Sequence, residues 1–282
     1  MARGTTETAS LTIEGWATTL ARLDRIVADA ARSYLQDLRG RGVPDDLEAW
    51  TRELNRLMRG QPTDYALPGL PLMYALRYMP KRVISLMGAL SQMKPADRSG
   101  QVVDIRTGTG ATVVAMQLLY PDAQLSLTGI DASAEMLRFA RGTQTHQRSK
   151  AMFTEGTIES LLGDPRLLKS TEMVTFSAPF DRAFSAWNPL AVALSRGSTR
   201  SVLAAEPESR KFLLDNFELA LGRLGWDTRR FASESAVPAF MKEDRALAGL
   251  TRFWRHLGQS GLNRPQTWWE PPADEYLIAS RT

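Results

Sequence analysis

The chain has 282 residues, 43% of them hydrophobic, enough to bury a substantial core in one large domain or in a domain with a cap. It has no cysteine and only two histidines, His146 and His256, far apart in sequence. That excludes disulfides, thiol nucleophiles and cysteine-held zinc or iron–sulfur sites, and leaves a histidine-rich metal site without ligands.

The 35 basic and 31 acidic residues are interspersed, so the net charge of +4 favours anionic partners without marking a nucleic-acid arm. The densest basic stretch, Arg138 to Lys150, is better read as solvated than as a nucleic-acid contact. There is no apolar run of about eighteen residues or more. The opening "MARGTTETASLTIEGW" lacks the apolar core of a signal peptide. A cytoplasmic protein with no membrane partner and no metal is expected.

In chain order, Trp16, Leu20, Leu23, Val27, Ala31, Tyr34 and Leu38 recur at steps of three or four and line one face of a helix that ends near "RGRGVP". A homodimer through that face is expected if the face is exposed. "PDDLEAWTRELNRLM" predicts a second helix with Leu47, Trp50, Leu54 and Leu57 inward. "LMYALRYMPKRVISLMGALSQM" predicts a third helical region that Pro80 splits or kinks, because proline has no backbone N–H to give. Residues 1–97 therefore read as an all-helical cap, ending at the loop "KPADRSG".

From residue 98 the pattern changes to short apolar runs separated by helices. The strands read are "QVVDIR", "QLSLTGI", "KAMFTE", "FDRAFSA", "TRSVLAAE", "WDTRRFA" and "DEYLIAS"; helices include "ATVVAMQLLY", "SAEMLRFARG" and "ESRKFLLDNFELALGRLG". Such alternation predicts an α/β fold, a Rossmann-like doubly wound sheet that is mostly parallel, since parallel strands need crossover helices. A helical insert at about 237–272 precedes the last strand, which then returns without a compact crossover and is expected to be antiparallel.

The stretch "VVDIRTGTGATVVA" carries the chemistry. In an open parallel sheet the ligand lies beyond the carboxyl ends of the strands, and glycines in the first strand-to-helix turn let backbone approach it. Gly108 and Gly110 stand there, Asp104 closes the strand before them, and Asp131 closes the next strand about twenty residues on, where a carboxylate can accept both hydroxyls of a ribose. The dinucleotide pattern lacks its third glycine, where Val113 stands, and the phosphate loop lacks its lysine. A nucleoside ligand without phosphates remains.

From Gln101 to about Leu190, "VVDIRTGTGATVVAMQLLYPDAQLSLTGIDASAEMLRFAR" and "FTEGTIESL" resemble the first three motifs of the class I S-adenosylmethionine-dependent methyltransferases. The resemblance implies S-adenosylmethionine as cofactor and a seven-stranded sheet with an antiparallel last strand. It implies that Asp104, Thr107 and the Gly108–Gly110 turn face the amino-acid end of the cofactor, that Asp131 holds the ribose, and that Ala132, Met136, Thr157, Ile158 and Ser185 complete the cofactor site. Two positions depart from the pattern. Arg106 stands where relatives often have glycine, and Thr157 where an aspartate often meets the adenine amine. Arg106 is expected to point away, to pair with the cofactor carboxylate or to be satisfied by the cap.

Asn188-Pro189 is similar to the Asn-Pro-Pro-Tyr signature of amide- and amine-directed methyltransferases, including the release-factor glutamine enzymes, with Leu190 in place of the second proline. A bland alternative has Pro189 opening a helix. The segment with Tyr65, Tyr74 and Tyr78 is similar to that before the first motif in methyltransferase-like proteins of the mitochondrial small ribosomal subunit, whose four-cysteine cluster cannot exist here. Tyr74, Tyr78, Trp187 and Asn188 are the candidate walls of the acceptor site, as gate or orienting groups. Phe253, Trp254, Trp268 and Trp269 read as packing or as a lid.

The expectation is a methyltransferase for a small-molecule acceptor, in specialised biosynthesis, acting mainly by proximity and orientation. The alternatives are an RNA-, ribosome- or protein-directed methyltransferase, and a cofactor-binding protein without transfer.

Overall fold

A computed structural model describes residues 13–59, 61–93, 99–144, 151–163, 166–177, 184–232 and 274–281. His146 and His256, the "KPADRSG" loop before Ser99, and the whole 237–272 insert with its four aromatic residues lie outside the described residues.

Four helices come first: α1 (Ile13–Gly40), α2 (Leu47–Met58), α3 (Leu70–Arg77) and α4 (Met79–Ser91). Helix α1 is as long as its apolar spacing suggests and is released by Gly42, which takes a left-handed φ of 72° while Val43 N–H bonds Leu38 O at 3.0 Å. The Asp46 side chain accepts from Ala49 N at 2.9 Å and so starts α2. The split expected at Pro80 occurs. Tyr78 separates α3 from α4, and the proline stands in the first turn of α4, where its missing N–H breaks no helical bond.

The sheet follows as β1 (Ser99–Ile105), α5 (Ala111–Leu119), β2 (Gln124–Asp131), α6 (Ala134–Gly142), β3 (Ala151–Glu155), the short helices α7 (Ile158–Gly163) and α8 (Arg166–Lys169), β4 (Thr171–Ser177), α9 (Trp187–Arg196), β5 (Ser201–Pro207), α10 (Phe212–Gly222), β6 (Asp227–Ala232) and β7 (Asp274–Ser280). The order across it is β3-β2-β1-β4-β5-β7-β6. Strands β1 to β5 pair in parallel, and β7 runs antiparallel to both β5 and β6. The doubly wound, mostly parallel sheet with an antiparallel last strand is thus as the sequence predicts.

The fourth strand is a correction. "FDRAFSA" alternates like a strand, but residues 184–186 are irregular, and the strand is Thr171–Ser177. This stretch hides its nature because two of its polar residues are buried by hydrogen bonds. Thr171 Oγ1 donates to Leu167 O at 2.6 Å and Thr175 Oγ1 to Asp104 Oδ1 at 2.7 Å.

Each face of the sheet is covered. One core is built from α7, α9 and α10 with Val103, Ile105, Val174, Phe176, Leu277 and Ala279. The other runs without a break from α1 through α3 and α4 to α5, α6 and the opposite sheet face. Trp16, Leu20, Leu23, Val27, Ala31, Tyr34 and Leu38 are all buried in that second core, so the face considered for a homodimer is covered within the chain. Helix α1 is also fastened to α6: Arg41 donates to both oxygens of Glu135, at 2.7 and 3.0 Å, and Tyr34 OH donates to Oε2 at 2.5 Å. No helix among the described residues is long and apolar enough to cross a membrane.

Candidate active site

At the carboxyl end of β1 the chain turns sharply into α5. Three alternate left-handed positions make the elbow: Arg106 at φ 57°, Gly108 at 54° and Gly110 at 85°, with an ordinary residue after each of the first two. Gly110 N–H bonds Thr107 O at 2.8 Å, and Thr107 N–H bonds Ile130 O at 2.9 Å, so the elbow is tied to the neighbouring strand. A Cβ on Gly108 would meet no atom within 4 Å, which leaves open space on the side a ligand would use. Arg106 takes a conformation that costs an L-residue about 1–2 kcal/mol.

Asp131 turns toward this elbow. Its Oδ2 accepts from Gly108 N–H and its Oδ1 from Ser133 N–H, both at 2.9 Å. Each oxygen keeps a further lone pair, so the carboxylate can still accept two ribose hydroxyls. Burial pushes its pKa up, while the two N–H groups and then the Arg106 charge oppose that rise. Arg106 therefore acts electrostatically on Asp131.

Asp104 lies fully inside. Thr175 Oγ1 donates to its Oδ1, while Oδ2 has no hydrogen-bond partner among the described residues, and neither do the buried hydroxyls of Thr107 and Thr109. Burial raises the Asp104 carboxyl to about 6, against the pull of the Thr107, Thr175 and Thr112 hydroxyls. Polar atoms without a well-formed hydrogen bond beside an open glycine turn leave room for a polar ligand. A carboxylate for an ammonium, backbone N–H groups at the start of α5 for a carboxyl, and a second carboxylate for a ribose fit the donor and acceptor set of S-adenosylmethionine.

The remaining candidates for this half are spread around it. Ala132 is exposed beside Asp131. Met136 is buried with the α1–α6 core and Ile158 with the core of the opposite face. The Thr157 hydroxyl accepts from Ser160 N at 3.2 Å and its own N–H bonds Ser160 Oγ at 2.8 Å, a reciprocal cap for α7. Ser185 is exposed just before α9.

The other half of the carboxyl edge, at β4, β5 and β7, holds residues that the sequence reading missed. Arg82 of α4 is buried; its Nε donates to Ser177 Oγ and its Nη1 to Asp274 Oδ2, each at 3.0 Å, and its Nη2 has no hydrogen-bond partner among the described residues. Ser85 Oγ and Tyr276 OH share a 2.6 Å hydrogen bond in the same layer. Glu206, fully buried at the end of β5, meets Arg210 at 3.2 Å. Ser177 is two residues beyond Thr175, about 7 Å along the same strand face, so this cluster adjoins Asp104. Its one sequence signal was an arginine inside an otherwise apolar helix.

Tyr74 and Tyr78 pack against each other at 5.7 Å, and burial raises the pKa of both. Trp187 opens α9 on the other side of the sheet, edge-on to Phe184 at 4.7 Å and 6.3 Å from Phe217. The exposed Asn188 and Pro189 fall in the first turn of α9. The tyrosines and Trp187 thus meet the edge from opposite faces. Among the described residues no group of three His, Asp or Glu could hold a metal.

The strand order, the antiparallel β7 and a glycine elbow facing an acid at the end of β2 belong together in one architecture. The fold is a Rossmann-like, mostly parallel doubly wound sheet with an antiparallel last strand, the architecture that the resemblance to class I methyltransferases implies. The chain matches no protein-family profile and no curated protein sequence. Among solved structures it is similar to the plantazolicin methyltransferase BpumL in complex with SAH, with 14% identity over 94% of this chain and 98% of that one and a TM-score of 0.43. It is also similar to a methyltransferase in complex with the Haloferax volcanii activator Trm112, with 15% identity over 77% and 95% and a TM-score of 0.48. A third is precorrin-6y C5,15-methyltransferase of Geobacter metallireducens GS-15, with 12% identity over 71% and 88% and a TM-score of 0.45.

Proposed function

We propose that the protein is an S-adenosylmethionine-dependent methyltransferase acting on a small-molecule acceptor. The observation that carries this reading is Asp131: a carboxylate at the end of β2 held by Gly108 N–H and facing the elbow, with the unsatisfied Asp104 oxygen beside it. Bound there, the cofactor supplies a methyl carbon made electrophilic by its sulfonium. The chain binds and orients: Asp131 would hold the ribose, Asp104 the ammonium, and the start of α5 the carboxyl.

The acceptor would lie along the adjoining edge of β4, β5 and β7, between Tyr74 and Tyr78 on one side and Trp187 on the other. The buried Arg82–Asp274 pair and the Ser85–Tyr276 bond would form the polar floor of that edge. In-line placement of acceptor and donor can supply about 7–11 kcal/mol of the barrier without a dedicated base. A biosynthetic setting fits such a substrate.

Calorimetry with S-adenosylmethionine and S-adenosylhomocysteine tests the reading, followed by mass spectrometry of small molecules that co-purify. Binding of both is expected; binding of neither overturns it. A second reading, a cofactor-binding protein without transfer, is favoured by the left-handed Arg106 and by the Thr157 hydroxyl serving as a helix cap. Cofactor binding with no methylated product across acceptor panels would select it.

A further inference from the structure

We propose that Tyr65, on the segment between α2 and α3, is a cofactor-contacting residue that covers the adenosyl group beside Asp131. This rests on the methyltransferase reading above.

Three observations converge on it. First, the segment is hooked to the ribose acid. Ser133 donates its backbone N–H to Asp131 Oδ1 at 2.9 Å and its Oγ to the Tyr65 carbonyl at 2.7 Å, so one serine holds both the carboxylate and the tyrosine backbone. Second, the segment is built to stay where it is. The buried Glu53 accepts from Asp64 N–H at 2.6 Å, Asp64 Oδ1 accepts from Ala66 N–H at 2.9 Å, and Leu67 N–H bonds Asp64 O at 3.2 Å. Its far end passes Gly69 at φ 91°, against the buried Trp50 ring, where a Cβ would come within 2.1 Å of Cε2.

Third, the Tyr65 side chain is 40% exposed although its backbone is pinned at both flanks. The part of Tyr65 left open to solvent sits on a fixed support, where a flat ligand could complete its cover. The partner is defined by what adjoins it. Ala132, immediately after Asp131, is small and exposed, so the strand end offers no side chain to cover a nucleoside held by Asp131. Tyr65 also lies close enough to Tyr74 for the two to interact electrostatically. A purine ribonucleoside fits both features, with hydroxyls for the carboxylate and a flat face for the ring.

The test is S-adenosylhomocysteine binding to the full chain by calorimetry, with thermal unfolding measured in parallel. Stacking a base on an aromatic ring supports a loss of about ten- to a hundredfold in affinity for Tyr65→Ala. The melting temperature should hold, since the ring is exposed. Tyr65→Phe should bind like the wild type, and Ala132→Ile added to Tyr65→Ala should recover part of the lost affinity by covering the nucleoside from the strand end. Unchanged affinity in Tyr65→Ala, or an equal loss in Tyr65→Phe, overturns the assignment while leaving the methyltransferase reading intact. A wild-type chain that does not bind at all overturns both.

Discussion

The two halves of the carboxyl edge are built differently. At β1 and β2 the polar groups are held by backbone N–H groups and by Thr175 of the neighbouring strand, and they leave an Asp104 oxygen without a well-formed hydrogen bond and an open glycine turn. At β4, β5 and β7 the polar groups are charged side chains that neutralise each other, Arg82 with Asp274, 192 residues away, and Arg210 with Glu206 at i,i+4. The first half leaves room for a ligand held by backbone. The second can be re-cut by changing side chains without disturbing the backbone of the elbow. Two parts of one edge under different constraints can diverge separately, and that is what the contrast teaches.

The contrast breaks most strongly at Arg82. Replacing it with methionine leaves Asp274 buried without its partner and should cost about 3–5 kcal/mol of stability. The double variant Arg82→Met with Asp274→Leu should recover most of that loss in a denaturant titration. S-adenosylhomocysteine affinity should change little in the double variant if the halves are independent.

Asp131→Ala attacks the other half. Losing a carboxylate that accepts ribose hydroxyls should weaken S-adenosylhomocysteine about a hundredfold, from two charge-assisted bonds of about 1.5 kcal/mol or more each. Calorimetry reads this, and an affinity within a few-fold of wild type would contradict the role.

Asp104 sharpens the comparison through pH. Burial raises its carboxyl from 3.8 to about 6, so protonation favours the folded chain. The stability it contributes is complete below 3.8 and is lost as pH rises through about 6, a change of about 3 kcal/mol for a shift of that size. Asp104→Asn should flatten the stability profile over that window. Wild-type affinity for the ammonium-bearing cofactor should rise over the same window, because binding a cation favours the ionised carboxyl.

The smallest effect belongs to Arg106. Arg106→Gly should relieve a left-handed conformation and gain at most about 1 kcal/mol after the added freedom of the unfolded chain is deducted. Arg106→Ala keeps the strained backbone and removes the charge near Asp131, so comparing the two in thermal unfolding separates strain from electrostatics.

Much of the first half was legible. Strand β7 was read at its observed bounds, and β1, β2, β3, β5 and β6 within about two residues, because their apolar runs end at turn residues. The elbow was legible because only a few residues tolerate its backbone, and Asp131 because it lies a fixed interval beyond. Strand β4 was not. A strand in the middle of a sheet is read from an apolar run, and this one contains Thr171, Glu172 and Thr175, two of which become apolar in effect only after Leu167 O and the Asp104 carboxyl accept hydrogen bonds from their hydroxyls. The Arg82–Asp274 pair, 192 residues apart, was invisible for the same reason.

By itself the sequence determined what is local: periodicity gave the helices, alternation gave most strands, and two glycines with two acids marked the elbow where we propose a nucleoside binds, because backbone preference and hydrophobic period act over a few residues. The tertiary structure decided what depends on distant partners. It identified β4, covered the face of α1, brought Arg82 to Asp274 and set the backbone of Tyr65 on Ser133. The energies of buried charges and shared hydrogen bonds depend on groups that meet only when the chain has folded.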